Sequence, residues 1–188
     1  HVPDADFWLP WYAQWLSRQL KDKPDVIYSR SAPFSAALLA RRLKGMFGCP
    51  WLMHLSDPWA DNPYRSMPAR RAATDHALEA ACMADADLIT LTTEGQAAHY
   101  RANYPDRASA ITVTPNMMRL RGDTPPPSSP SPSGPLRIVY TGALYGNREP
   151  STLLNALRIL RDRTPNLAGK IAVDFFGNMP PDIAVAVS

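Results

Sequence analysis

The sequence predicts an α/β protein made of two Rossmann-like domains, each with a parallel sheet. Three observations predict it. Between Pro24 and Asn116, short apolar runs alternate with segments of helical period. From Arg121 to Pro135 the pattern stops in RGDTPPPSSPSPSGP, which has no periodicity and is dense in Pro and Ser. At Leu136 a strand-then-helix pattern restarts. The expected division is a first domain over 1–116, a linker over 117–135 and the start of a second domain over 136–188. The second domain is expected to be incomplete, because two strands and one helix cannot close a doubly wound sheet.

The elements follow in order. Phe7, Trp8, Trp11, Tyr12, Trp15 and Leu16 recur at helical spacing, with Pro10 acceptable only in a first turn. The expectation for this aromatic face is core or interdomain packing, with a membrane interface as the alternative. Pro24–Ser29 reads as a strand. Ser31–Lys44 reads as a helix with Ala36, Leu39, Ala40 and Leu43 inward and Gly45 ending it. Pro50–Leu55 is a second strand, followed by the loop SDPWADNPY and an Ala-rich helix over Pro68–Met83. Asp87–Thr92, Glu94–Tyr104 and Ala110–Thr114 read as strand, helix and strand, closed by Pro115 and Asn116. Beyond the linker come a strand at Arg137–Thr141, a helix at Ser151–Arg161, a strand at Lys170–Phe176 ended by Gly177, and a helical start at Ile183–Val187. Such a chain should form parallel sheets covered on both faces, with ligands beyond the carboxyl ends of the strands.

Composition excludes several classes. The hydrophobic share of 45% supports globular cores, while no segment approaches the roughly 18 unbroken apolar residues of a membrane span. A net charge of +3 suits an anionic substrate or membrane surface but is too weak to argue nucleic acid. Cys49 and Cys82 are read as buried thiols in a reducing compartment. The four histidines lack zinc-site spacing, so no metal is expected. The chain begins with His1 and has no leader pattern, so the true N-terminus is expected to lie elsewhere.

Two loops carry the chemistry. Gly142 and Gly146 sit between a strand and a helix, where backbone N–H groups and a helix N-terminus can meet an anion, and Arg148 adds a forked cationic donor. An ordinary turn whose glycines serve only backbone geometry is the competing explanation. The motifs G-x-G-x-x-G, G-x-x-x-x-G-K, G-x-S-x-G and H-E-x-x-H are all absent. In the other loop, His54 and Asp57 could supply a titrating group and a hydroxyl-binding carboxylate. Taken alone, H-x-x-D is more simply a buried histidine and an aspartate capping the turn before Pro58.

HLSDPW at 54–59, ADLITLTTEG at 86–95, TVTPN at 112–116 and VYTGALYGNREPSTLLNAL at 139–157 shift that balance. Their order and spacing resemble family-four glycosyltransferases, retaining nucleotide-sugar enzymes with two facing Rossmann-like domains (the GT-B arrangement). The TGxLYGxRxP run is similar to that of bacterial members that build surface polysaccharides. The resemblance spans about Pro24 to Asn178 and implies sugar transfer from a nucleoside diphosphate to an acceptor hydroxyl, without a cofactor. It implies that His54 and Asp57 are catalytic, near the transferred sugar and acceptor. Gly142, Ala143 and Arg148 would bind the donor, although Ala143 stands where a second positive charge is usual. Asn116 would be structural at the interdomain crossover.

By that resemblance, the glutamate pair of the late second domain and the first strand and Gly-rich acceptor loop of the first are not in this sequence, so the first domain too is expected to be incomplete and the chain alone inactive. The implied partners are a nucleotide-sugar donor and a lipid-linked or saccharide acceptor, with no nucleic acid. The implied place is the cytoplasm, with room for contact at the inner face of the plasma membrane through Arg65, Arg70, Arg71 and the aromatic helix. A non-catalytic binding or scaffold protein, and an epimerase or phosphorylase on the same architecture, are the alternatives.

Overall fold

The computed structural model describes residues 2–117, 134–144 and 148–187. The chain divides into two compact units, His1–Arg119 and Leu120–Ser188. Most of the expected linker, residues 118–133, and Gly146 of the expected donor loop lie outside the described residues.

The first unit holds a four-stranded parallel sheet of β1 (Ile27–Arg30), β2 (Trp51–Leu55), β3 (Leu88–Leu91) and β4 (Ile111–Val113), in that spatial order. Its helices are α1 (Ala13–Gln19), α2 (Ser35–Phe47), α3 (Ala69–Asp85) and α4 (Glu94–Asn103). Helix α2 ends one turn later than expected. Gly45 lies inside it, and Gly48, at φ 60°, caps it by donating its N–H to Lys44 O at 2.7 Å. Thr93 caps α4 by accepting from Gln96 N. The inward face of α2 carries Ala37 and, as expected, Ala40, beside its cap residue Phe34, while the expected Ala36, Leu39 and Leu43 are only partly buried.

Alternation along the strands sends Trp51, Met53 and Leu55 to the helix side, with Ile89 and Leu91 beside them. All five side chains are fully buried, each worth about 1.5–3 kcal/mol relative to exposure. The opposite face carries Tyr28, Leu52 and Leu88, which stay partly or largely exposed. Coverage of both faces is therefore not what the described residues provide. Strands added one after another by right-handed crossovers place every connecting helix on the same side.

The aromatic face does not pack into the core of the first unit. Leu9–Tyr12 forms a 3-10 turn that runs into α1, and Pro10 and Ala13 are the residues turned inward. Phe7, Trp8, Trp11, Tyr12 and Trp15 are exposed, Trp11 by 73%. Trp8 and Tyr12 meet edge to face at 5.3 Å, and Arg42 lies over the Trp11 ring. Helical period shows which residues share a face; which face turns inward was decided by the small Pro10/Ala13 side, which permits a close approach to α2.

The second unit pairs β5 (Leu136–Thr141) with β6 (Ile171–Phe176) in parallel. Its helices are α5 (Ser151–Arg163), α6 (Pro165–Ala168) and α7 (Pro181–Val187). Arg137 and Asp174 pair across the two strands at 2.6 Å.

Candidate functional site

In the first unit, register decides the site. Arg30, His54, Thr90 and Thr112 are successive partners across β1 to β4, so they form one row on the helix-free face near the carboxyl ends of the strands. The His54 side chain is only 6% exposed, and its Nδ1 lies 2.8 Å from Thr90 Oγ1. Tyr28 faces the imidazole at 6.4 Å between ring centroids. Nε2 has no hydrogen-bond partner among the described residues. It belongs to a cavity of about 420 Å³ lined by Tyr28, Arg30, Leu52, His54, Thr90 and residues 114–117.

Burial, then the positive charge of Arg30, holds the His54 pKa below its usual 6.5. The folded state thus binds fewer protons than the unfolded chain between the lowered value and 6.5. His54 contributes its full stability above pH 6.5 and loses it as pH falls through 6.5 toward the folded value. Between about pH 7 and pH 5 the wild type should lose more melting temperature than His54→Gln does. Equal losses in thermal melts would show that the imidazole is not held neutral.

Asp57 stands apart from His54. Its carboxylate is exposed, does not line the cavity and has no hydrogen bond among the described residues. The loop that carries it is nonetheless fixed, through Trp59. The fully buried indole donates Nε1–H to Asp75 Oδ1 at 2.8 Å and stacks on Phe34 at 5.3 Å. Arg65 pairs with the other oxygen of Asp75 at 2.8 Å, bonds the carbonyls of Trp59 and Pro3, and lies over the Phe34 ring. One turn along α3, Glu79 accepts from Ala60 N, Tyr100 Oη and Tyr104 Oη. Burial, then the Glu79 charge, pushes the Tyr100 hydroxyl far above its usual pKa, so it stays a donor to that carboxylate.

These groups were missed in the sequence. The signal available was two acids four residues apart on an otherwise Ala-rich helix. Arg65 had instead been counted among cations for a lipid surface, and its pairing inside the loop removes it from that group. Arg70 and Arg71 remain exposed at the start of α3.

In the second unit, Gly142 has φ 144° and Gly177 has φ 143°, conformations that disfavour any side chain. Gly142 N donates to Phe176 O and Leu144 N to Asn178 O, both at 2.9 Å, so the loop after β5 is laced to the end of β6. Ala143 is exposed, and its carbonyl accepts from the Tyr140 hydroxyl. Arg148 lines a cavity of about 490 Å³ with Tyr140, Leu144, Leu153 and Phe175. Gly142, Ala143 and Arg148 therefore share one end of the β5–β6 pair, and the loop glycine has a partner in Gly177.

The largest cavity described, about 810 Å³, lies at the amino ends of the strands in the first unit. Its ions are already satisfied by Arg41–Asp85 and Lys44–Asp87 pairs, both at 2.5 Å. Among the described residues no cluster of three metal-ligating side chains occurs, and no helix is long and apolar enough to cross a membrane. Cys49 and Cys82 are free and buried, and burial pushes the Cys82 thiol up to about 12.

With this geometry in view, comparison with known proteins is informative. The apo structure of OtsA aligns at a TM-score of 0.62 and 17% identity, over 95% of this chain and 45% of its own. At that identity the likeness carries the fold alone, in agreement with the expected parallel α/β class. The crystal structure of accessory secretory proteins 1, 2 and 3 of Streptococcus pneumoniae aligns at 0.48 and 14% identity, over 97% and 38%. The chain spans less than half the length of either. No curated protein sequence matches it. Residues 2–117, which include the whole Arg30–His54–Thr90 row and the Trp59 loop, match the glycosyl transferase 4-like domain, and the chain belongs to that family.

Proposed function

We propose that this chain is part of a retaining glycosyltransferase of the GT-B kind, moving a sugar from a nucleoside diphosphate to an acceptor hydroxyl. The acceptor would be a cell-surface saccharide or lipid-linked glycan handled at the cytoplasmic face. The observation that carries the reading is His54: a buried, neutral imidazole, oriented by Thr90, with Nε2 open to a cavity at the carboxyl ends of parallel strands. That is where α/β sheets bind their ligands.

In this reading the first unit, 1–116, is the acceptor side and 136–188 begins the donor side, with 117–135 as their linker. His54 faces the transferred sugar, Asp57 contacts hydroxyls, and Asn116 keeps the crossover in place. The backbone after Gly142, the amino end of α5 and Arg148 meet the departing diphosphate, where fixed dipoles and charge stabilise the developing negative charge.

Arg148→Ala should weaken nucleoside diphosphate binding roughly 10- to 100-fold, the size of a lost charge-assisted contact. Isothermal titration of the 188-residue chain with nucleoside diphosphates measures it. Amide shifts on the same ligands should centre on residues 141–144 and 148–150. Unaltered binding by the variant would remove Arg148 from the site, and the lack of any nucleotide response in that loop would sink the donor assignment. Transfer itself is then measured in the intact enzyme with a panel of nucleotide sugars.

A further inference from the structure

We propose that the cavity beside His54 is an oxyanion site whose anchor is Arg30, and that it takes a phosphate group carried by the acceptor. The acceptor role rests on the transferase reading above; the anion site itself does not. Arg30 is the last residue of β1, directly opposite His54 in register, and it lines the cavity. Its side chain has no ion pair or hydrogen bond among the described residues. Arg41, Arg65 and Arg101 of this unit are paired with Asp85, Asp75 and Glu94, whereas Arg30 is the arginine that lines this cavity.

No acidic side chain lines the cavity, so the charge of Arg30 is unbalanced there. The other groups that face it are neutral: the His54 imidazole and Tyr28, with Thr90 and Asn116 as small hydrogen-bonding neighbours. A guanidinium fork and an amide border one space of about 420 Å³, with an imidazole whose Nε2 donates when Nδ1 accepts from Thr90 or when the ring is charged, and together they suit an acceptor-rich group. Phosphate fits that set better than a sugar hydroxyl, which could not offset the charge. A bound anion would also favour the charged imidazole, so phosphate binding and His54 protonation should be coupled.

The test follows the His54 ring resonances by NMR in the 188-residue chain while inorganic phosphate is added. The expected result is a saturable shift of His54 together with an upward move of its titration midpoint. Arg30→Gln should weaken the binding about tenfold or more, and Arg30→Lys should retain part of it. The Arg30 side chain is exposed and unbonded, so these variants should fold normally, as melting curves would verify. A His54 titration indifferent to phosphate, or an equal response in Arg30→Gln, overturns the site.

A sugar phosphate monoester distinguishes the source. Tighter binding than inorganic phosphate at the same resonances supports an acceptor phosphate. Equal or weaker binding marks a site for free phosphate and overturns the acceptor assignment. Should nucleoside diphosphates leave the Gly142 loop unmoved while phosphate still moves His54, the transferase reading fails and the anion site stands.

Discussion

Gly177→Ala should unfold the strand pair of the second unit. A Cβ at this position would sit 2.0 Å from the carbonyl oxygen and 2.6 Å from the carbonyl carbon of Gly142, both backbone atoms that no rotamer change can move aside. The φ of 143° adds strain of about 1–3 kcal/mol for a residue with a side chain. Relief requires the loop after β5 to pull away from β6, which breaks the Gly142–Phe176 and Leu144–Asn178 hydrogen bonds. Hydrogen exchange should show lost protection over β5 and β6, while β1 to β4 are unchanged.

Gly142→Ala is the informative control. Its Cβ would have the Tyr140 hydroxyl and ring as its nearest neighbours, at 3.4 Å or more, so it carries the dihedral strain without the backbone collision and should be milder. Equal exchange in both variants and the wild type would show that the two loops are not locked together. Donor binding should fall with Gly177→Ala although this residue has no place in the expected donor motif, because it holds the loop that does.

Asp75→Ala carries the other large expected effect, a loss of about 3–5 kcal/mol in the first unit. The carboxylate is fully buried, and its removal leaves Trp59 Nε1 without its acceptor and the Arg65 guanidinium without its counter-charge. Denaturant unfolding measures the loss. Asp75→Asn keeps the oxygen that accepts from Trp59 but removes the charge that Arg65 needs, so it should fall between the two. A wild-type midpoint for Asp75→Ala would mean that the cluster does not hold the loop. The loss should extend beyond stability: with Trp59 loosened, amides across the loop from Ser56 to Tyr64, Asp57 among them, should exchange faster.

Much of this molecule was legible in its sequence. Apolar runs such as Trp51–Leu55 and Leu88–Leu91, flanked by helical periods, determined that there would be parallel strands joined by helices, because period and turn residues are local properties of the chain. Gly142 and Arg148 could be singled out for the same reason, since they bracket the loop between β5 and α5, whereas His54 came forward through the family resemblance.

What only the tertiary structure decided depends on which residues from distant segments meet. The strand order put all the helices of the first unit on one side and left the His54 face without them. Register set Arg30 and Thr90 beside His54, and neither residue has a local signature of function. The aromatic residues from Phe7 to Trp15 share a face by period, yet that face turned outward, because period carries no information about direction. The clamp of Asp75 and Glu79 on the Trp59 loop, and the contact of Gly177 with Gly142, join positions 16 to 35 residues apart. Burial and collision between such positions are free energies of three-dimensional packing, and no window along the chain contains them.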